Sequence, residues 1–72
     1  MPDERLSAQC RLVLAHLSQH FGPDTPQVAQ AVLAARTTGE FNAAIDAIES
    51  RLATHLGRKQ AAREAQALRL NP

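Results

Sequence analysis

Residues 39–57, GEFNAAIDAIESRLATHLG, decide the fold of this chain. Their large apolar side chains recur at spacings of three and four, which places them on one face of an α-helix. These side chains are Phe41, Ile45, Ile48, Leu52 and Leu56. The segment predicts a helix that begins at Glu40 or a preceding threonine, buries this face and ends at Gly57. Acidic residues come early and basic residues late, the order that the helix dipole favours.

The three glycines of the chain, Gly22, Gly39 and Gly57, each follow a helical apolar stripe. Glycine is enriched just past helix ends because it enters the left-handed conformation without a Cβ penalty. The spacing therefore predicts four helices, with breaks near these glycines. In the first break, either Asp24 or Thr25 is expected to be the N-cap of the second helix.

The first predicted helix runs from about Asp3 to Phe21, and its inner face repeats at the same helical spacing. That face consists of Leu6, Cys10, Val13, Leu14, Leu17 and Phe21. We interpret Cys10 as a small buried hydrophobe rather than a reactive thiol. Leu12 projects away from this face, as Leu33 does in the second helix. Both predict a second contact surface.

Beyond Gly57 the stripe changes phase, and the apolar residues become Ala61, Ala65 and Leu68. A helix with a single large apolar side chain is expected to dock weakly or fray. The predicted fold is therefore all-α: a compact three-helix bundle over residues 1–57, with a weakly docked basic helix or tail over residues 58–72 of the same domain.

Composition narrows the function classes. A net charge of +1 on 72 residues excludes strong electrostatic capture of the whole chain by nucleic acid or by a membrane. No apolar run approaches a membrane span, the start lacks the pattern of a signal peptide, and the single cysteine cannot form an internal disulfide. We therefore expect a cytoplasmic protein. The lysine-poor, arginine- and alanine-rich usage is typical of GC-rich bacterial genes.

Few residues suggest a metal-binding or catalytic role. His16 and His20 are spaced i, i+4 and can share a metal ion, with His55 as a third ligand if the helices pack side by side. No fourth ligand is evident, and both rings flank the apolar stripe, where they would cover the core edge. Asp46 and Glu49, early in their helix, are typical of a solvated face. We predict no enzyme, cofactor or metal site, and rank a metal-binding or enzymatic role third.

The C-terminal part is the basic part. Residues 51–72 hold five basic residues against one acidic residue, for +4, whereas residues 1–50 sum to −3. Lys59, Arg63 and Arg69 can contact phosphates or an acidic protein. A helix-turn-helix built from the second and third helices would turn acidic residues toward phosphate, which argues against DNA reading. A nucleic-acid-associated regulator is therefore the alternative function, and nucleic acid is not the expected partner.

Residues 17–52 carry a set of apolar and turn positions found in a known family. They are Phe21-Gly22-Pro23, Val28, Val32-Leu33, Gly39 and Ala44-Ile45-Asp46-Ala47-Ile48. This half of the chain resembles the ubiquitin-associated fold in its CUE variant. The resemblance implies a compact protein-binding module whose contact patch is formed by the loop after the first helix and the end of the third. The family's Met-Phe-Pro aligns with His20-Phe21-Gly22, and Glu49 takes the second place of its terminal dileucine. We therefore carry over protein binding in general and not ubiquitin binding.

A second resemblance is to tetratricopeptide helices. Its residues are Gly39-x-Phe41-x-x-Ala44-Ile45 and Ala67-Leu68-x-Leu70-x-Pro72, which are out of register for one repeat. The CUE-like resemblance is the one that implies protein binding. The predicted function is thus a small non-catalytic adaptor, chaperone or regulator, whose partner is another protein or a second copy of the chain. Its predicted contact residues are Leu12, His16, His20, Phe21 and Leu33.

Overall fold

The computed structural model describes residues 4–70, which form helices and no strand. The helices are α1 (Glu4–Phe21), a 3-10 turn (Gly22–Asp24), α2 (Thr25–Val28), α3 (Gln30–Ala34), α4 (Thr38–Leu56) and α5 (Arg58–Leu68). The all-α fold class is confirmed. The predicted opening of the first helix at Asp3 and the Pro72 of the tetratricopeptide-like ending lie outside the described residues.

Helix α1 forms as its stripe predicts. Leu6, Val13 and Leu17 are buried in the core, and Cys10 and Leu14 pack against it while partly exposed. The helix ends where Gly22 takes a positive φ of 54°. This backbone conformation is costly for residues with a Cβ, which explains why glycine occupies the stop.

The second predicted helix is instead two short helices, α2 and α3. Ala29 separates them with φ −87° and ψ 3°, and it is fully buried, so the chain bends at a point enclosed by the core. Asp24 occupies the N-cap position of α2, but its side chain makes no capping hydrogen bond. The Thr25 hydroxyl, already inside α2, donates to the Gly22 carbonyl oxygen at 2.6 Å.

The prediction that Gly39 ends the second helix is wrong. Helix α3 already ends at Ala34, and Gly39 lies in the first turn of α4. The cap of α4 is Thr37, whose hydroxyl accepts from the Glu40 backbone N–H at 3.1 Å. The Glu40 carboxylate accepts in turn from the Arg36 N–H at 2.8 Å, which resembles a capping box. A threonine start was among the predicted alternatives.

Helices α4 and α5 form an antiparallel hairpin across the single residue Gly57, which has a φ of 85°. The apolar face of α4 fills the centre of the core and the small face of α5 closes it. The buried residues of the two helices are Phe41, Ala44, Ile45, Ile48, Leu52, Ala61, Ala65 and Leu68. The inner faces of both helices are therefore those predicted. The strength with which α5 docks stays a prediction.

Polar side chains hold the end of α5. The Asn42 amide pairs with the Leu70 backbone in both directions, donating at 2.9 Å and accepting at 3.0 Å. The Gln9 amide of α1 donates to the Leu68 carbonyl oxygen at 2.7 Å. Helix α5 thus lies antiparallel to both α1 and α4. None of the helices within residues 4–70 has the length and hydropathy to cross a bilayer.

Candidate functional site

The contact between α1 and α5 contains a cluster of three titratable side chains, His16, His20 and Glu64, which we call the His–Glu cluster. The Nε2 atoms of both histidines face the same oxygen, Oε1 of Glu64. The distance is 3.0 Å from His20, and His16 is also within hydrogen-bond distance. All three atoms lie within 4.8 Å of one another. His16 and His20, spaced i, i+4 on α1, therefore share one carboxylate oxygen from α5.

Local sequence explains this geometry. The i, i+4 spacing puts the two rings one turn apart on α1, with their centroids 5.4 Å apart. Ala61 and Ala65, which flank Glu64 in α5, are fully buried, so the carboxylate lies beside the buried face of this helix. One turn before Glu64, the Gln60 amide donates to its other oxygen, Oε2, at 3.1 Å.

The pKa of Glu64 is set by opposing effects. Burial raises it, but hydrogen bonds from Gln60, His16 and His20 lower it by more, so the pKa falls below the ordinary glutamate value. The carboxylate is therefore ionised at neutral pH. It supplies a fixed negative charge between two imidazole rings.

His55 does not join this cluster. Its ring meets Phe21 edge to face, with 5.3 Å between the ring centroids. Glu64, and not His55, is the third titratable side chain beside His16 and His20. The sequence signal for Glu64 was its place as the single acidic residue of the basic segment, but no local pattern connects it to helix α1.

Phe21 and His55 belong to an open cleft of about 290 Å³ at one end of the bundle, which we call the end cleft. One wall comes from the end of α1, the 3-10 turn and α2, and the other comes from the last turns of α4. The lining residues are Phe21, Asp24, Gln27, Val28, Arg51, Thr54 and His55. Within residues 4–70, neither Asp24 nor Arg51 forms a salt bridge.

The predicted contact residues fall in different places. Leu12 and Leu33 are exposed at 59% and 52%, and they are the large apolar side chains that the described surface leaves open. Phe21 is partly exposed in the end cleft. His16 and His20 are turned toward α5, so the structure does not join all five residues into one surface.

The predicted phosphate contacts also divide. Lys59 and Arg63 lie on the exposed side of α5. Arg69 instead donates to Asp46 and, at 3.2 Å, to Glu49, so its charge is compensated by helix α4. The acidic pair, predicted to be a solvated face, is accessible to solvent and also forms ion pairs with Arg69.

The thiol of Cys10 has no activating partner in the described part of the chain. Its Sγ donates to the Val32 carbonyl oxygen at 3.5 Å, and burial raises its pKa. A raised pKa lowers the thiolate fraction, so this setting suits a packing role.

Comparisons of this chain with protein-family models, with curated proteins and with solved structures found no significant match.

Proposed function

We propose that the protein is a small non-catalytic interaction module that binds a segment of another protein in the end cleft. The observation that carries this proposal is the cleft itself, a concave site lined by apolar side chains and by Asp24 and Arg51, neither of which forms a salt bridge within residues 4–70. It lies between the turn after the first helix and the end of α4, where the resemblance to the CUE variant puts a contact patch. The cytoplasm remains its expected location.

The chemistry of the lining suggests which occupant to expect. Phe21 and Val28 offer apolar surface for one side chain of the partner. Arg51 on the α4 wall is a guanidinium that forms no salt bridge within residues 4–70, and it matches a carboxylate on the partner. Thr54 and Gln27 add hydrogen-bonding groups. The expected ligand is a peptide segment with an apolar residue beside an acidic one.

The nucleic-acid alternative has less support. Three residues were predicted to contact phosphates. Because Arg69 pairs with two carboxylates, only Lys59 and Arg63 of these three are left for this role. Binding through two cations is weak and falls with salt, since each phosphate contact releases about one counterion.

The test places a benzophenone amino acid at Thr54 in the end cleft, or at Arg63 on the exposed face of α5. Crosslinking in cells identifies the protein next to each position. Peptides from the protein captured at Thr54 are then titrated against the purified chain by calorimetry. We expect Arg51→Glu to weaken binding about tenfold or more, because the substitution sets a negative charge against the ligand's carboxylate.

Arg63→Glu is the matched control, since it makes the same change of charge at another exposed arginine that forms no salt bridge within residues 4–70. It should leave peptide affinity within about twofold, the scale of a distant surface charge. Equal loss in both variants would contradict binding in the end cleft. Tight retention on DNA or RNA that falls steeply with salt and is weakened by Arg63→Glu would favour the nucleic-acid alternative.

A further inference from the structure

We propose that His16, His20 and Glu64 form a binding site for a single divalent transition-metal ion of the zinc class, between α1 and α5. This site is separate from the end cleft, and its test does not depend on the peptide ligand. The inference rests on the convergence of two imidazole nitrogens and one carboxylate oxygen from two different helices.

The donor atoms are close to the spacing that a metal requires. A tetrahedral zinc ion with bonds of about 2.0–2.2 Å sets its ligand atoms roughly 3.3 Å apart. The Nε2 of His20 and Oε1 of Glu64 are 3.0 Å apart, and no pair in the cluster exceeds 4.8 Å. The three donor atoms therefore already lie near the mutual distances of a coordinated set.

The donor set also selects the metal. Two histidines and one carboxylate suit zinc, and also nickel or copper, because imidazole is a favoured ligand of these ions. Magnesium and calcium prefer all-oxygen sites, so this cluster disfavours them. Three protein ligands leave the fourth position to water or to a group from outside the protein.

Neighbouring groups support the site. The amide of Gln60 holds Oε2 of Glu64 at 3.1 Å, which orients the carboxylate as outer-shell partners of metal ligands do. The side chains of His16, His20 and Glu64 are 31%, 23% and 13% exposed, so an ion has access from solvent while the donors are partly desolvated. On binding, each imidazole offers the lone pair of Nε2 to the ion. A neutral ring then carries its proton on Nδ1, whereas a ring protonated on both nitrogens releases one proton to solvent.

The experiment uses the full chain without an affinity tag, freed of metal by a chelator. Zinc is titrated by calorimetry, and Co²⁺ by visible absorption, which reports the coordination number. We expect one ion per chain and a Tm that rises by at least about 5 °C at saturating zinc, because the ion binds the folded state alone. Magnesium at the same concentration should leave the Tm unchanged.

The variants are His20→Gln and Glu64→Gln, each expected to weaken zinc binding more than about tenfold, the loss associated with disturbing a metal's coordination. His55→Gln is the matched control, because this histidine lies against Phe21 and outside the cluster. It should bind zinc like the original chain, and so should Cys10→Ser. Circular dichroism of each metal-free variant separates loss of the site from loss of the fold.

Three outcomes would overturn the proposal. The first is that the folded original chain binds no zinc at about 100 μM metal. The second is that both His20→Gln and Glu64→Gln bind zinc as tightly as the original chain. The third is a stoichiometry of one ion per two chains. The last result would assign the ion to a contact between copies rather than to this site. If Glu64→Gln unfolds, His20→Gln still tests the site: a Co²⁺ spectrum equal to that of the original chain would contradict the proposal.

Discussion

Helices α4 and α5 are neighbours in one hairpin, but they are held in place by different forces. Helix α4 buries a row of large apolar side chains, with Phe41, Ile45 and Leu52 fully enclosed. Helix α5 buries Ala61, Ala65 and a single leucine, Leu68. We expect its position to depend more on polar contacts to Asn42, Gln9, the two histidines and the acidic pair of α4.

This difference teaches where the stability of the domain lies. Apolar burial contributes in proportion to area, so α4 supplies more of the core's free energy of folding than α5. Polar contacts contribute less each, but they are directional and fix the register of α5 against its neighbours. We therefore expect α4 to unfold with the whole domain and α5 to open separately.

The largest expected effect comes from Ile48→Ala in α4. Ile48 is 2% exposed, so the truncation leaves a cavity and should lower the free energy of unfolding by about 2–5 kcal/mol. A domain of this size has roughly 3–5 kcal/mol in total, so most of the chain would unfold. Urea denaturation followed by circular dichroism measures this loss.

The control for Ile48→Ala is Ala47→Ser, at an exposed position of the same helix. If Ile48→Ala shifts the Tm by only one or two degrees, Ile48 is not a core residue.

Asn42→Ala sharpens the comparison between the two helices. It removes both hydrogen bonds to Leu70 and should cost about 1–3 kcal/mol, concentrated at the end of α5. Amide hydrogen exchange should speed up in residues 60–70 and change little in the centre of α4. Equal acceleration in both helices would mean that they open as one unit. Ser18→Ala, which loses only a local bond on α1, provides the baseline.

Arg69→Gln should have a smaller effect. The guanidinium is partly exposed and its two partners are also accessible, so the loss is expected at about 0–1 kcal/mol and should shrink further in high salt. Chemical denaturation at low and high ionic strength measures this difference. A salt-independent loss larger than that of Asn42→Ala would place the anchor of α5 at Arg69 instead.

The smallest effect on stability belongs to Leu12→Glu, because this side chain is 59% exposed. The substitution should change the free energy of unfolding of the domain by less than about 0.5 kcal/mol. Sedimentation equilibrium over a wide concentration range tests whether Leu12 lies in a contact between copies. A mass of one chain at every concentration, before and after the substitution, would leave self-association through this surface without support.

Residue spacing and glycine positions predicted the features that depend on local backbone geometry. The stripe of α4 identified the core because helical spacing alone decides which side chains share a face. The stops at Gly22 and Gly57 were also predictable, since both adopt positive φ. The helix end predicted at Gly39 was wrong because Gly39 lies inside α4. The start of α4 is instead indicated by Thr37 followed three residues later by Glu40.

The candidate sites were less accessible to sequence reasoning. His16 and His20 were identified as a pair, but their partner Glu64 lies 48 and 44 positions away. That contact exists because α5 folds back between α1 and α4, and periodicity does not determine which helices become neighbours. The pairing of Arg69 with Asp46 and Glu49 was missed for the same reason.

The bond between Gln9 and Leu68 joins residues separated by 59 positions, so it closes a loop that includes most of the chain. Closing a long loop costs more chain entropy than forming the α4–α5 hairpin, whose contacts are close in sequence. We therefore expect the hairpin to be structured in the folding transition state and the contact between α1 and α5 to form after it. The segments around Gln9 and Leu68 would then come together in the last step of folding.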